Sequence, residues 1–148
     1  MAQQDPIEVV WYSKTGSVLN LYVNGSELTG YFYSLQVQPE EWYPLHGSVD
    51  PDQSLPNRAL SFSVSWITDG TPSEFRSVTS YTGQYHSLPN GSEVINTIFL
   101  LQDETSPQKQ YASTMVGYDN FVRVAPTLAE IEDEVRTRRP SHNIPPEE

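Results

Sequence analysis

Cysteine is absent from this chain of 148 residues, histidine occurs only 3 times, and 8 basic residues stand against 19 acidic ones. Without cysteine there is no disulfide framework, no thiolate nucleophile and no thiolate metal site, and the redox compartment stays open. His46 and His86 have no carboxylate at metal-like spacing, so no metal site is expected and both read as structural or surface residues. A formal net charge of -11 excludes nucleic acid as the expected partner, because phosphates are held by clustered Lys and Arg. No apolar run approaches the roughly 20 residues that cross a membrane, and the opening MAQQDPIEVVW lacks a basic region followed by an apolar one. The expectation is a soluble chain with no membrane partner and no signal peptide as given, secreted if a leader was removed. No Ser-His-Asp order, paired-carboxylate motif or phosphate loop can be assembled, so no enzyme and no cofactor are expected.

What is present is β-forming. Aromatic residues make up 11% of the chain, with 9 Tyr, 5 Phe and 3 Trp, a composition that fits a small all-β protein better than a helical bundle. Turn signals divide the first 125 residues into eight strand-like runs, near 7–12, 18–23, 27–35, 42–49, 59–66, 75–85, 93–102 and 111–124. Asn24-Gly25 and Asn90-Gly91 are the strongest signals, each readable as a two-residue type I′ hairpin. Both are followed by Ser, which completes a glycosylation pattern that the turns already explain. Consecutive strands with short connections predict an eight-stranded antiparallel up-and-down barrel, which removes exposed edges and leaves room for one small ligand.

The runs SVTSYTGQY (77–85) and STMVGYDNF (113–121) carry the functional signal. Successive side chains of a strand point to opposite faces, which puts Ser77, Thr79 and Tyr81 together on one face. Two hydroxyls and a phenol suit no apolar core, since each buried polar atom without a partner costs about 1 to 3 kcal/mol. A bound polar ligand would supply the partner. The chain therefore divides into a barrel over 1–126 and a tail over 127–148. In the tail, Thr127 and Glu130 form a capping box, Leu128, Ile131 and Val135 make a narrow apolar stripe, and Pro140 is expected to end the helix. Residues 141–148 read as disordered. So short a helix contributes little stability by itself, and the tail is expected to be separable unless it docks on a neighbouring subunit or over a pocket mouth.

The blocks WYSKTGSVL (11–19), LTGYFYS (28–34), PLHG (44–47), ALSFSVSW (59–66), TSYTGQY (79–85), INTIFLL (95–101) and STMVGYDNF (113–121) resemble, in order and spacing, the avidin and streptavidin family of biotin-binding barrels. The resemblance spans roughly residues 11–125 and leaves the tail uncovered. It implies non-enzymatic binding of biotin or a biotin-like cyclic urea, and a homo-tetramer or dimer with Val116, Tyr118 and Tyr111 near subunit contacts. By position, Asp119 matches the acceptor of a ureido N–H, Thr79 faces the ring sulfur and Ser77 the carboxylate. Ser17 matches a donor to the ureido oxygen, Ser34 a polar wall position, Trp66 a box tryptophan and Leu101 an apolar contact.

The departures predict weaker binding. Ser13 stands where the family has Asn and Phe32 where it has Tyr, both donors to the ureido oxygen, so affinity should fall by roughly 10² to 10⁴. Tyr81 and Phe99 replace two pocket tryptophans, and Tyr111 replaces one lent by a neighbour. The lid segment 36–41 (QVQPEE) includes Gln36 and Gln38 as further candidate contacts, and its Glu40 and Glu41 bring negative charge to the mouth. Two other readings stay open: a lipocalin-like carrier of another small ligand, and an avidin-fold assembly protein without biotin. Inward polar residues speak against a purely apolar cavity.

Overall fold

The computed structural model describes residues 4–35, 37, 40–71 and 76–142. Eight strands, β1 (Val9–Ser13), β2 (Val18–Asn24), β3 (Glu27–Tyr33), β4 (Trp42–Val49), β5 (Asn57–Ser65), β6 (Ser77–Ser87), β7 (Glu93–Asp103) and β8 (Thr114–Val122), each pair antiparallel with the next in sequence. Strand β8 returns to β1 and closes the barrel. The all-β up-and-down architecture expected from the turns is the observed one. Its cause is visible in β5, where Arg58, Leu60, Phe62 and Val64 are buried while the intervening Ala59, Ser61, Ser63 and Ser65 are exposed. A period of two gives one face to the interior and one to solvent.

Both hairpin turns differ from the type I′ expectation. Asn24 is the last residue of β2 and pairs with Glu27, so the two-residue loop is Gly25-Ser26 with only Gly25 at positive φ (63°). Glycine at the first loop position is the requirement of a II′ turn. Around Asn90-Gly91 the last β6–β7 pair is Ser87 with Glu93, which makes a longer loop. There the Asn90 side chain accepts from the Ser92 N–H at 3.0 Å and from the Ser92 hydroxyl at 2.7 Å, and Gly91 takes the positive φ (90°).

One end of the barrel is stoppered by residues before β1. Trp11 is fully buried and its indole N–H donates to the Ile7 carbonyl at 2.7 Å. Arg123 lies 3.7 Å over the Trp11 ring and donates to the carbonyls of Val10, at 2.9 Å, and Pro6. Beside them the Asp5 carboxylate receives both terminal nitrogens of the fully buried Arg58, at 2.7 and 2.9 Å. Arg58 also donates to the Asp50 carbonyl from Nε (3.0 Å) and Nη2 (2.8 Å). Burial alone would raise the Asp5 carboxyl, but hydrogen bonds from Arg58 and the Ile7 N–H, with the Arg58 charge, hold it below the usual value.

The other end is less complete. Strand β1 pairs with β8 at Tyr12–Val122 and Ser13–Phe121, whereas β8 pairs with β7 from Phe121 to Thr114. Most of β8 therefore runs past the end of β1 and leaves a seam. Strand β8 is also shorter than the expected 111–124, because Pro107–Ala112 form a 3₁₀ turn that carries Tyr111 into solvent at 90% exposure.

Past β8 the tail forms helix α1 (Leu128–His142). Its start is the expected capping box: the Glu130 N–H donates to the Thr127 hydroxyl at 3.1 Å and the Thr127 N–H to the Glu130 carboxylate at 2.8 Å. Pro140 does not end it, and Ser141 and His142 are helical rather than disordered. A proline inside a helix removes one hydrogen bond and crowds the preceding turn, and the helix nevertheless continues to His142. Residues 143–148 of the expected disordered stretch lie outside the described residues.

Candidate functional site

The open end holds a cavity of about 360 Å³. Its base is aromatic: the Phe32 and Tyr81 rings stack at 5.3 Å, Phe62 stacks on Tyr81 at 4.7 Å, and Trp66 meets Phe32 edge-on at 5.2 Å. These contacts follow from register, because Phe62, Tyr81 and Phe99 are cross-strand partners along β5, β6 and β7. Gly117 continues the row on β8, where a side chain would come within 2.4 Å of the Phe99 ring. Glycine there lets Phe99 lie across the strand.

The polar groups are set into this wall. The Trp66 indole N–H donates to the Thr79 hydroxyl at 2.7 Å, which orients both on the cavity surface. Ser17, Ser34 and Thr15 line it from the β1–β2 turn and the end of β3. Asp119 enters from β8, 6% exposed, with its own carbonyl accepting from the Thr97 hydroxyl at 2.7 Å. Its carboxylate accepts from the Thr15 hydroxyl at 3.4 Å and from Arg138 Nη1 at 3.2 Å. Burial pushes the Asp119 carboxyl up to about 6, against the opposing charge and hydrogen bond of Arg138 and the Thr15 hydrogen bond. Burial, with the Asp119 charge, also raises the Tyr81 phenol well above its usual value.

Of the residues singled out in the sequence, Ser17, Phe32, Ser34, Trp66, Thr79, Tyr81, Phe99, Leu101 and Asp119 line one cavity. Ser13 is not in that lining: its hydroxyl is 2.9 Å from the Thr15 hydroxyl and accepts from the Ser17 N–H at 3.1 Å, holding the β1–β2 turn. Ser77 is buried beside the cavity, where its carbonyl accepts from the Trp66 N–H at 3.1 Å. Tyr111 projects into solvent, away from the cavity of its own chain. Gln36 and Gln38 lie outside the described residues. Glu40 is not in the cavity lining and accepts from the Tyr33 hydroxyl at 3.0 Å.

The model of the avidin family matches residues 1–124. This chain belongs to the avidin family. Avidin-family proteins are non-enzymatic biotin binders. Among the described residues no group of three or more His, Cys, Asp or Glu could hold a metal ion, and no helix is long and apolar enough to cross a membrane.

Outside the matched region, α1 completes the walls of this avidin-family barrel. Val135 and Arg138 line the cavity together with Thr15, Val37 and Met115, and of these only Val135 stood out in the sequence, as part of the apolar stripe. Arg138 Nη1 also donates to the Tyr118 carbonyl at 2.7 Å, Nε donates to Glu134 at 2.5 Å, and the guanidinium lies 4.2 Å over the Tyr118 ring. One signal was available in the sequence. Positions 128, 131, 135 and 138 continue a single helical stripe, and Arg138 extends the apolar stripe by one step.

Proposed function

We propose that the barrel binds biotin or a biotin-like cyclic urea reversibly in this cavity, more weakly than the tightest members of the family. The observation that carries the reading is Asp119, a buried acceptor facing an aromatic wall that bears the Trp66–Thr79 pair. A ureido N–H donates to Asp119, Thr79 meets the sulfur, Ser17 donates to the ureido oxygen, and Trp66, Tyr81, Phe99 and Leu101 enclose the hydrocarbon. Ser34, Ser77 and the lid residues Gln36 and Gln38 serve the polar end. Calorimetric titration of the full chain with biotin should show saturable binding, one ligand per chain; no heat and no thermal shift at millimolar biotin overturn the reading. Binding of a fatty acid or retinoid instead would favour a lipocalin-like carrier.

The weakening is assigned to the ureido oxygen. Phe32 contributes no donor, and Ser13 is already committed to the β1–β2 turn. Phe32→Tyr should tighten biotin by about 1 to 3 kcal/mol, while Ser13→Asn should gain less because it disturbs that turn. Equal affinity of Phe32→Tyr and the parent chain, with tighter binding after neutralising Glu40 and Glu41, would assign the loss to the lid.

The chain is also proposed to assemble with copies of itself, as a tetramer or dimer. Val78, Ile98, Leu100, Val116 and Tyr118 are exposed large side chains on adjoining strands β6 to β8, a contiguous patch of the kind that marks subunit contacts. On such a surface Tyr111 would reach a neighbour's pocket. Sedimentation should give an oligomer at micromolar concentration, and Val116→Lys should dissociate it; a monomeric parent chain contradicts the proposal.

A further inference from the structure

We infer that helix α1 is an internal ligand of the barrel: the Arg138 guanidinium occupies the ureido-binding acceptor Asp119, and an external ligand must displace it. The competition rests on the proposed cyclic-urea reading, whereas the guanidinium site does not. A guanidinium and a cyclic urea are both planar N–C–N units that present N–H groups to an acceptor, and a carboxylate suits either. They differ at the third substituent. A urea carries an oxygen that needs donors, whereas the third nitrogen of a guanidinium is itself a donor, so the missing donor at Phe32 costs a guanidinium nothing and its N–H groups are taken by Asp119, the Tyr118 carbonyl and Glu134. The aromatic rings that would enclose a bicycle can equally flank a cation.

The placement of α1 supports this. The β1–β8 ladder stops at Ser13 and Phe121, and Arg138 donates to the Tyr118 carbonyl in the part of β8 beyond that ladder, as well as to Asp119. Its side chain is only 12% exposed. Glu134, one turn earlier, accepts from Arg138 Nε and fixes its rotamer. Val135 enters the cavity lining beside it. Ile131 packs at the β1–β2 turn, where a Cβ on Gly16 would lie 3.4 Å from Ile131 Cγ2. The stripe thus seats the helix over the turn that carries Thr15 and Ser17, and the acceptor a ureido group would use is taken.

The test uses the full chain and its Arg138→Gln variant, which removes the guanidinium and its charge and is too short to make the Nη1 contact to Asp119. N-acetyl-arginine methylamide at millimolar concentration should change the tryptophan fluorescence of Arg138→Gln, through Trp66, and leave the parent chain and the Arg138→Gln/Asp119→Ala double variant unchanged. No response in Arg138→Gln overturns the guanidinium site. Biotin should bind Arg138→Gln at least about 10-fold more tightly than the parent, and saturating biotin should speed hydrogen exchange of the α1 amides in the parent while barrel amides keep their protection. Equal affinities, or an α1 still protected in the biotin complex, overturn the competition. If neither protein binds biotin, the cyclic-urea reading fails with it, and the arginine amide alone then decides the guanidinium site.

Discussion

Arg58→Ala is expected to destabilise the barrel by about 3 to 5 kcal/mol, because it strands the Asp5 carboxylate in the stoppered end without its partner. In a chain of this size that lowers the melting temperature by on the order of 10 °C. The cause is geometric. Arg58 is fully buried, gives two nitrogens to Asp5 and two bonds to the Asp50 carbonyl, and thereby ties the segment before β1 to the β4–β5 connection. Asp5→Ala should cost a similar amount by stranding the guanidinium. Replacing both residues with apolar side chains of similar volume should cost much less than the sum of the single changes, since no charge is then left unpaired. Denaturant melts of the three variants check this, and additive losses would show that packing rather than the ion pair holds this end.

The second large effect belongs to Asp119. Its folded carboxyl titrates at about 6 against an ordinary value of 3.8, so the folded chain keeps a proton where the unfolded chain has released it. For an acid raised in this way the stability contribution is full below about pH 4 and is lost as the pH rises through about 6. The gap corresponds to about 3 kcal/mol at about 1.4 kcal/mol per pH unit. Asp119→Asn removes the titration, so the stability difference between parent and variant should change by about that amount between pH 4 and 7. A constant difference across that range would contradict the burial of this carboxylate. The same substitution should weaken biotin about 10- to 100-fold by replacing a charged acceptor with a neutral one, measured in the Arg138→Gln background so that release of α1 does not offset the loss.

Much of this was legible in the sequence, and the reason is periodicity. Alternation along 59–66 and 77–85 fixed which side chains face inward, and the spacing of the family blocks brought Ser17, Thr79 and Asp119 to one cavity though they lie on different strands. What stayed hidden depends on local competition for hydrogen bonds. The family resemblance puts Ser13 at a donor position, but its hydroxyl satisfies the Ser17 N–H and Thr15 in the adjoining turn. Tyr111 reads as the start of β8, but Pro107 and its neighbours prefer a 3₁₀ turn that ends before the strand. The largest omission is Arg138. A charged residue on a helix outside the matched region reads as solvated surface, and only its position one step along the stripe of Ile131 and Val135 hints that it points into the barrel.

Crystals of the full chain grown with saturating biotin test the account most directly. The bicycle is expected between Trp66 and Tyr81, with a ureido N–H on the Asp119 carboxylate and Arg138 withdrawn from Asp119. An empty cavity with Arg138 still paired to Asp119, or biotin bound elsewhere on the barrel, would contradict it.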